Sequence, residues 1–317
     1  MSTTTFRVLL TGANGQLGQD LQATLAGRVP DGGDAESAVQ RSVGLPEAPV
    51  EALATDIGTL DVSDRDEVLA ATSSFRPDLV LHAGAYTAVD ACESEVDTAF
   101  AVNALGTRNV VEAARRVGAH VVYVSTDYVF DGTSDRPYVE WDTPNPQSVY
   151  GRSKHGGELE ALGLGGPHVT VARTAWVSGA HGANMVKTVL RLAVDSRSGP
   201  LRFVDDQRGT PTFTADLAPA LVRLGLERRP GIVHVTNRGE TTWFDFARAV
   251  LGAAGLDPDL VVPIATSELD PPRPAPRPAN SCLDNAVLRL AGLAELPDWT
   301  SSLTRLVAAL PVIAGRA

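Results

Sequence analysis

A strand pattern followed by three spaced glycines constrains the fold of this chain more than any other feature. Residues 6–10 form a largely apolar run that suits a buried parallel strand, and residues 19–26 have a helical pattern. Gly12, Gly15 and Gly18 lie between them. Glycines placed in this way permit a tight turn, close approach of the backbone to a diphosphate and close helix–strand packing, while the helix N-terminus offers amide donors. The pattern predicts a nucleotide-binding turn rather than a glycine-rich loop that binds nothing.

A tyrosine and a lysine four residues apart form the second informative pattern. Tyr150 and Lys154 share one face of a predicted helix, so the ammonium is expected to lower the pKa of the phenol from its usual ~10. Ser125 or Thr126, at the end of an apolar run, offers a hydroxyl to the same point. Such pairs also occur by chance on solvated helices. Together with the glycine turn, the pair predicts a reductase that polarises and protonates a carbonyl.

Strand and helix patterns alternate through the first half of the chain, which predicts an α/β fold with a Rossmann-like, doubly wound parallel sheet. We expect a dinucleotide-binding domain over residues 1–175 and a smaller C-terminal substrate lobe over residues 176–317, with a segment near 231–236 returning to the main sheet. Residues 27–50 are rich in Gly, Pro, Ala and Glu and are predicted to be a surface insertion. The further predicted strands are 50–54, 78–82, 120–124 and 169–173, and the predicted helices are 65–75, capped by Ser63, then 93–117 and 150–162.

Composition and charge exclude several classes of function. A net charge of −11 argues against a nucleic-acid or membrane-surface partner. Two cysteines form no disulfide framework and indicate a reducing compartment, and six histidines without ligand spacing predict no metal site. No apolar run approaches the roughly 18 residues of a membrane span, and residues 1–5 lack the features of a signal peptide. We therefore expect a cytoplasmic protein.

The motifs together resemble the extended short-chain dehydrogenase/reductases and, within them, the family of dTDP-4-dehydrorhamnose reductases. The narrowest matching motifs are residues 124–132 and 205–211, and the resemblance is nearly full length, with further matching stretches at 11–18, 82–90, 150–154, 173–177, 184–188, 242–246 and 277–281. It implies reduction of the 4-keto group of a dTDP-4-keto-6-deoxyhexose, most simply dTDP-4-dehydro-L-rhamnose to dTDP-L-rhamnose. The implied cofactor is NADPH or NADH, and a monomer or a homodimer is expected.

The resemblance also implies roles for individual residues. Tyr150 is expected to be the proton donor, Lys154 its electrostatic partner and a ribose ligand, and Thr126 the group that stabilises the carbonyl oxygen. The residues expected to bind the cofactor, besides Tyr150 and Lys154, are Gly12, Gly15, Gln16, Leu17, Gly18, Asp56, Asp61, Val62, Gly84, Ala85 and Tyr86. The residues expected to contact the substrate are Thr126, Asp127, Trp176, Asn184, Lys187, Gln207 and Arg277.

Three departures from the family pattern bear on specificity. Gly84 stands where alanine is common and Ser178 where tyrosine is common, and both changes would alter the sugar pocket. The stretch at 27–50 is longer than usual and displaces the acidic residue expected after the second strand. Asp56 is the candidate for that residue, and the choice between NADPH and NADH stays open.

Several residues have two interpretations at this point. Asn103 is either a cap-like buried polar residue or part of a proton relay behind Lys154, and it needs hydrogen-bond partners in either case. Trp176 belongs to the core or contacts the sugar. Lys187 and Arg277 are surface charges or neutralise the substrate diphosphate. The small residues at 83–85 allow either approach of a flat ligand or tight strand–helix packing.

Two alternative functions also remain at this point. One is a sibling reductase acting on another dTDP-4-keto-deoxysugar, for instance in dihydrostreptose or antibiotic sugar assembly. The other is a non-catalytic, NADP-binding regulatory subunit, since the regulatory subunit of methionine adenosyltransferase has this fold. An intact set of Tyr150, Lys154 and Thr126 argues against the regulatory interpretation, which predicts no consumption of reduced nicotinamide.

Overall fold

Six parallel strands form the centre of the fold. The computed structural model describes residues 5–28, 44–46, 48–195 and 199–311. The strands within these ranges are β1 (Phe6–Thr11), β2 (Val50–Thr55), β3 (Leu79–His82), β4 (His120–Thr126), β5 (Val169–Thr174), β6 (Val177–Ser178), β7 (Leu201–Val204), β8 (Arg208–Gly209), β9 (Thr212–Phe213), β10 (Gly231–His234), β11 (Thr241–Thr242) and β12 (Val261–Ile264). The central sheet has the order β10-β5-β4-β3-β1-β2 with every neighbouring pair parallel.

The strand order places a crevice at the end of β1. From β1 the chain first adds β2 on one side and then β3 on the other, so the topology reverses there. The strands end in register, since Thr11 pairs with Thr55 on one side and with His82 on the other. In open parallel sheets ligands bind beyond the carboxyl ends of the strands at such a reversal. The predicted fold class, an α/β protein with a Rossmann-like parallel sheet, is confirmed.

Helices cover both faces of the sheet. They are α1 (Gln16–Leu25), α2 (Arg65–Phe75), α3 (Val89–Cys92), α4 (Val96–Phe100), α5 (Gly106–Val117), α6 (Val149–Gly165), α7 (Met185–Val194), α8 (Thr214–Leu226), α9 (Trp243–Ala253), α10 (Ala286–Leu290) and α11 (Trp299–Ala309). Helices α1 and α8 pack against one face, and α2, α5 and α6 against the other. Burial on both faces explains why the strands are continuous apolar runs instead of alternating ones. None of the helices in the described ranges is long and apolar enough to cross a membrane.

A second apolar cluster lies outside the main sheet. Most of its buried members come from α7, α9 and α11, and Phe246 and Trp299 are among the largest side chains. Two short parallel pairs, β7 with β12 and β6 with β9, flank it. The strand β10 leaves this part of the chain and pairs with β5 in the main sheet.

Two helix predictions are wrong in detail. The N-cap of α2 is Asp64, whose carboxylate accepts hydrogen bonds from the amides of Asp66 and Glu67, whereas Ser63 donates to Asp61. The single helix predicted over 93–117 is instead α4, a π-helical turn at Ala101–Leu105 and α5. The π-helical turn adds one residue to a turn and so displaces the apolar face of the residues after it, which a search with a constant α-helical period does not locate. The predicted surface insertion falls largely on residues 29–43 and 47, outside the described residues.

Candidate active site

Glycine occupies each of the three positions after β1 for a different structural reason. Gly12 has a φ of +73°, and a Cβ there would lie 2.7 Å from the amide nitrogen of Gly84. A Cβ on Gly18 would lie 2.1 Å from the carbonyl oxygen of Gly12, so this glycine lets α1 pack on the turn. A Cβ on Gly15 would meet only the Gly12 oxygen, at 3.3 Å. The protein itself therefore requires glycine at 12 and 18, and the reason for glycine at 15 lies on the open side of the turn.

The N-terminus of α1 offers unpaired amide donors at this turn. Gly15 is the N-cap and provides no side-chain acceptor. In the part of the chain that the structure describes, the amides of Gln16 and Leu17 have no hydrogen-bond acceptor. These N–H groups and the positive end of the helix dipole are the arrangement that binds a phosphate group.

A cleft of about 710 Å³ opens from this turn along the carboxyl edge of the sheet. The predicted site residues that line it are Gly12, Gly15, Gln16, Leu17, Gly18, Asp56, Gly84, Ala85, Thr126, Asp127, Tyr150, Lys154 and Trp176. They come from the ends of β1, β2, β3, β4 and β5, from the first turn of α1 and from one face of α6. This volume falls within the usual range of ligand pockets.

Tyr150 and Thr126 bring two hydroxyl groups together inside the cleft. The pKa of Tyr150 is well above its usual value because of burial, although a hydrogen bond with Thr126 lowers it and the charge of Asp127 raises it. Thr126 donates to Asp127 Oδ1 at 2.9 Å. Ser125 instead donates to the buried Glu158 at 2.6 Å. Of the two hydroxyls left open by the sequence, Thr126 is therefore the one beside Tyr150.

Lys154 does not act on Tyr150 as the sequence suggested. Its Nζ donates to the carbonyl oxygen of Val124 at 2.7 Å and lies 4.2 Å from the centre of the Tyr123 ring. Burial lowers the pKa of Lys154 to about 7, against an opposing effect of Glu158. The expectation that the ammonium lowers the pKa of Tyr150 is wrong, since that pKa is raised. Burial outweighs it, because removing the phenolate from water disfavours the charged form.

Asp127 lies in the same buried part of the cleft. Burial raises its pKa to about 6, although the hydrogen bond from Thr126 lowers it. Within the described residues its Oδ2 has no hydrogen-bond partner. A buried acceptor without a partner is destabilising unless a donor reaches it.

Two tryptophans form one wall of the cleft. Trp176 has a φ of +47° and stacks on Trp243 with the ring centroids 3.5 Å apart and 4° between the planes. A Cβ on Gly209 would lie 2.2 Å from the Trp176 ring, and the indole N–H donates to Ser281 Oγ at 3.2 Å. A positive φ in a bulky residue is a strained conformation that clusters at functional sites. Trp243 also lines the cleft but was not a sequence candidate. Its only sequence signal was its place in the 242–246 motif.

Three residues expected to bind the cofactor, Asp56, Asp61 and Val62, lie in different places in the structure. Asp56 follows β2, lines the cleft and accepts a hydrogen bond from the amide of Asn14 at 2.9 Å. The carboxylate of Asp61 accepts from Ser63 in the turn before α2, and Val62 packs in the core beneath α5. Neither Asp61 nor Val62 lines the cleft.

The loop after β3 is fixed from behind by the π-helical turn. This turn directs the side chain of Asn103 to the backbone of Tyr86, with which it exchanges hydrogen bonds of 2.8 and 3.1 Å. The same amide donates to Ser153 Oγ at 3.0 Å, next to Lys154 on α6. The hydroxyl of Tyr86 points outward to Glu95. Asn103 therefore joins the cofactor-side loop to the Tyr–Lys helix.

Four predicted substrate residues do not line the cleft. The Asn184 amide donates to Gln16 Oε1 at 2.9 Å, so it supports the glycine turn from the second lobe. Lys187 donates to the carbonyl oxygens of Ala180 and Gly182. Gln207 donates to Thr266 Oγ1, and Arg277 forms an ion pair with Asp90 beside the cleft. Among the described residues, no three His, Cys, Asp or Glu side chains come together as a metal site would need.

Known proteins share both the sequence and the architecture of this chain. Residues 6–312 match the family described as RmlD substrate binding domain. The dTDP-4-dehydrorhamnose reductase of Streptomyces griseus is 40% identical over 316 residues, an alignment that covers 98% of this chain and 95% of that protein. A probable dTDP-4,6-dihydroxy-2-methyloxan-3-one 4-ketoreductase of Streptomyces antibioticus is 40% identical and covers 94% of this chain and 93% of that protein.

A solved structure shows that the similarity includes the three-dimensional fold. The crystal structure of a dTDP-4-dehydrorhamnose reductase from Bacillus anthracis in complex with NADP has a TM-score of 0.84 and 35% identity. The match covers 96% of this chain and 99% of that chain. The similarity therefore extends over both lobes.

Proposed function

Because this chain belongs to the RmlD substrate binding domain family, we propose that it reduces the 4-keto group of dTDP-4-dehydro-L-rhamnose to give dTDP-L-rhamnose. The family match over residues 6–312 confirms the resemblance that the sequence motifs indicated. The observation that carries the proposal is one cleft that holds both the Tyr150–Thr126 hydroxyl pair and the unpaired amides at the start of α1. The first is a carbonyl-protonating group and the second is a phosphate-binding group.

The residues around the glycine turn fit a nicotinamide dinucleotide. Gly12 and Gly84 approach so closely that no side chain fits between them, and Gly15 leaves its outer side open. The amides of Gln16 and Leu17 would hold the diphosphate, while the backbone at Gly84 and Ala85 would lie along the cofactor. The relative crystallised with NADP supports NADPH as the cofactor. NADH stays the alternative. When bound, the reduced nicotinamide would supply the hydride.

The roles of the polar groups follow from their charge states. The raised pKa keeps Tyr150 protonated at neutral pH, as a proton donor in a reduction must be. Thr126 would donate to the carbonyl oxygen that gains negative charge, which is where a positioned donor has its largest effect. Lys154, whose Nζ is held by the carbonyl oxygen of Val124, would bind the ribose of the cofactor.

The sugar side of the cleft supports a 6-deoxyhexose. The stacked indoles of Trp176 and Trp243 offer an apolar surface, and the unpaired oxygen of Asp127 offers an acceptor to a sugar hydroxyl. A flat apolar wall with a few polar groups is the usual composition of a small-ligand site. The domain boundary near residue 175 and the substrate roles of Asn184, Lys187 and Gln207 stay predictions.

A sibling reductase is the second candidate, because the relative named as a 4-ketoreductase of another dTDP sugar is as similar as the rhamnose enzyme. Of the two departures from the family pattern, Gly84 lines the cleft and Ser178 is not among the residues that line it. The test is oxidation of NADPH and of NADH with dTDP-4-dehydrorhamnose made in situ, compared with other dTDP-4-keto-deoxysugars. We expect the fastest turnover with dTDP-4-dehydrorhamnose. Faster turnover of another sugar would assign the chain to a sibling enzyme, and no oxidation with any sugar would support a regulatory subunit.

A further inference from the structure

An ion cluster of three residues lies at the side of the active-site cleft. Asp90, in the short helix α3, binds Arg277 through both carboxylate oxygens, with Nη1–Oδ1 and Nη2–Oδ2 distances of 2.6 and 2.9 Å. Arg273 lies 3.8 Å from the same carboxylate. Asp90 and Arg277 are 187 residues apart in the chain, so this contact joins the segment after the cofactor-side loop to the C-terminal part of the protein.

The geometry of this ion pair leaves one edge of the Arg277 guanidinium open. Asp90 occupies the edge between Nη1 and Nη2, and the carbonyl oxygen of Ala275 accepts the outer hydrogen of Nη1 at 2.8 Å. Within the described part of the chain, Nε and the outer hydrogen of Nη2 have no acceptor. These two N–H groups are parallel and form the fork that matches two oxygens of a phosphate.

The backbone that carries Arg277 is itself held in place. The amide of Ala275 donates to Asp90 Oδ1 at 3.2 Å, so one carboxylate fixes both the main chain and the guanidinium. Five prolines between residues 271 and 278 restrict the φ angles of the segment. At its end, Pro278 packs so closely on Gly132 that a Cβ there would lie 2.5 Å from the proline ring. The open edge of Arg277 is thus presented in a defined direction.

A chamber of about 200 Å³ lies beside Arg277 and adjoins the active-site cleft. Tyr128 lines both spaces and packs edge-on against Tyr150, with the ring centroids 5.5 Å apart. Asp131 also lines the chamber, but its carboxylate already accepts hydrogen bonds from Thr133, Tyr138 and Asn145. Two arginines and one aspartate give the cluster a net charge of +1 in a chain of net charge −11.

We propose that Asp90 is a positioning residue, which holds Arg277 so that its Nε–Nη2 edge binds the diphosphate of the nucleotide-sugar substrate. The inference rests on the proposed function and names how one part of its substrate is recognised. A free arginine side chain must give up its rotamer freedom on binding, whereas a clamped one has already done so. The negative charge of Asp90, which taken alone would repel a diphosphate, therefore favours binding through the orientation that it imposes.

The direction in which Asp90→Asn changes dTDP affinity distinguishes a positioning role of Asp90 from a purely electrostatic one. Binding of dTDP to the whole protein is measured by titration calorimetry. Arg277→Ala should weaken it about 10- to 100-fold, the effect of losing charged hydrogen bonds. Asp90→Asn should also weaken it, by about tenfold, because the fork is no longer held. If charge alone mattered, Asp90→Asn would tighten dTDP binding, and a tighter or unchanged dissociation constant would overturn the proposal.

A double-mutant cycle and a matched control complete the experiment. If Asp90 acts through Arg277, Asp90→Asn in the Arg277→Ala background should change dTDP affinity by less than about twofold. Arg277→Lys keeps the charge but lacks the fork, and should behave nearly as Arg277→Ala does. Arg273→Ala, at an exposed arginine of the same segment, should have an effect below about threefold. Additive effects of the Asp90 and Arg277 substitutions would contradict the proposal.

Kinetics distinguish a failure of this inference from a failure of the proposed function. With dTDP-4-dehydrorhamnose, Asp90→Asn should raise KM while kcat stays within about threefold, since the change is remote from the reacting carbon. Normal turnover by the wild-type protein with an unchanged KM in both the Asp90 and Arg277 variants would remove the inference and leave the function. No turnover by the wild-type protein, together with no dTDP binding, would remove both.

Discussion

At the residue scale, two glycines of the turn after β1 are required by the fold, and the third is explained by a ligand. Gly12 adopts a left-handed conformation and Gly18 touches the Gly12 carbonyl, so both would be required without any cofactor. Gly15 has ordinary backbone angles and nearly enough room for a Cβ. A side chain at residue 15 would thus act mainly on whatever lies against the open side of the turn.

Substitution of Gly15 by valine tests this separation. We expect Gly15→Val to raise the dissociation constant of reduced nicotinamide about 10- to 100-fold, as when one charged hydrogen bond to the phosphates is lost. Its thermal unfolding should change little. Gly18→Ala is the control and should lower the unfolding temperature, because its Cβ has no space. Fluorescence titration of the cofactor measures the first effect, and an unchanged titration by a folded Gly15→Val variant would refute the assignment.

The proposed reduction depends most on the phenol group of Tyr150, which donates the proton. General acid catalysis contributes about 10²–10⁴-fold, so Tyr150→Phe should lower kcat by that factor. Binding of the cofactor and of dTDP should stay within a few-fold of the wild type, because the ring is retained. Turnover close to normal in this variant would mean that another group, with Asp127 the nearest candidate, donates the proton.

Lys154 gives the protein a pH dependence of stability with a defined sign. Its pKa is about 7 in the folded state and about 10.4 in an unfolded chain. Between pH 7 and 9 the unfolded chain therefore binds more protons, and the free energy of unfolding should rise with pH by up to about 1.4 kcal/mol per unit from this group. Lys154→Met should remove this rise and stabilise the protein below pH 7. Urea unfolding of both proteins from pH 6 to 9 measures the difference, and parallel curves would contradict it.

At the element scale, helix α6 is joined to β5 by a buried ion pair. Glu158 and Arg173 are each 1% exposed and share two hydrogen bonds of 2.7 and 2.8 Å. Burial alone would raise the pKa of Glu158, but the hydrogen bonds from Arg173 and His155 lower it to about 2. Ser125, which precedes Thr126, donates to the same carboxylate. The pair thus fixes the distance between α6 and β5, and the hydrogen bond from Ser125 ties β4, which ends at Thr126, to the same carboxylate.

Breaking this pair should be costly for the whole domain. We expect Glu158→Gln to destabilise the protein by about 3–5 kcal/mol, because it leaves Arg173 buried without its counter-charge. Replacing both partners, as Glu158→Leu with Arg173→Met, should recover much of that loss. Glu51→Gln, which removes an exposed ion pair with Arg7, is the control and should cost less than about 1 kcal/mol. Equal losses in Glu158→Gln and Glu51→Gln would contradict the structural role.

The π-helical turn shows where sequence patterns fail at this scale. An apolar periodicity predicts that residues 93–117 are helical, but one extra residue changes which side chain faces the loop. Because of the extra residue, the Asn103 side chain contacts Tyr86 and Ser153. It thus connects the π-helical turn, the loop after β3 and α6. Such a contact is set by tertiary packing, so the sequence left two interpretations of Asn103 open.

At the scale of the whole molecule, the sheet was predictable because its strands are local apolar runs whose ends meet at one edge. Gly12, Thr126 and Trp176 lie at the carboxyl ends of three different strands and line the same cleft for that reason. The second lobe has shorter strands and weaker patterns, so the positions of Asn184, Lys187 and Gln207 depended on contacts that no local pattern reveals. The cytoplasmic location and the monomeric or homodimeric state stay predictions.

The most direct test of the account follows the hydride itself. Reduced nicotinamide labelled with deuterium on the transferable position of C4 would be incubated with the protein and dTDP-4-dehydrorhamnose, and the sugar product analysed by NMR. We expect one deuterium on C4 of the sugar product, which should have the rhamnose configuration. Tyr150→Phe should form this labelled product about 10²–10⁴-fold more slowly. A product without deuterium, or with deuterium on another carbon, would contradict it.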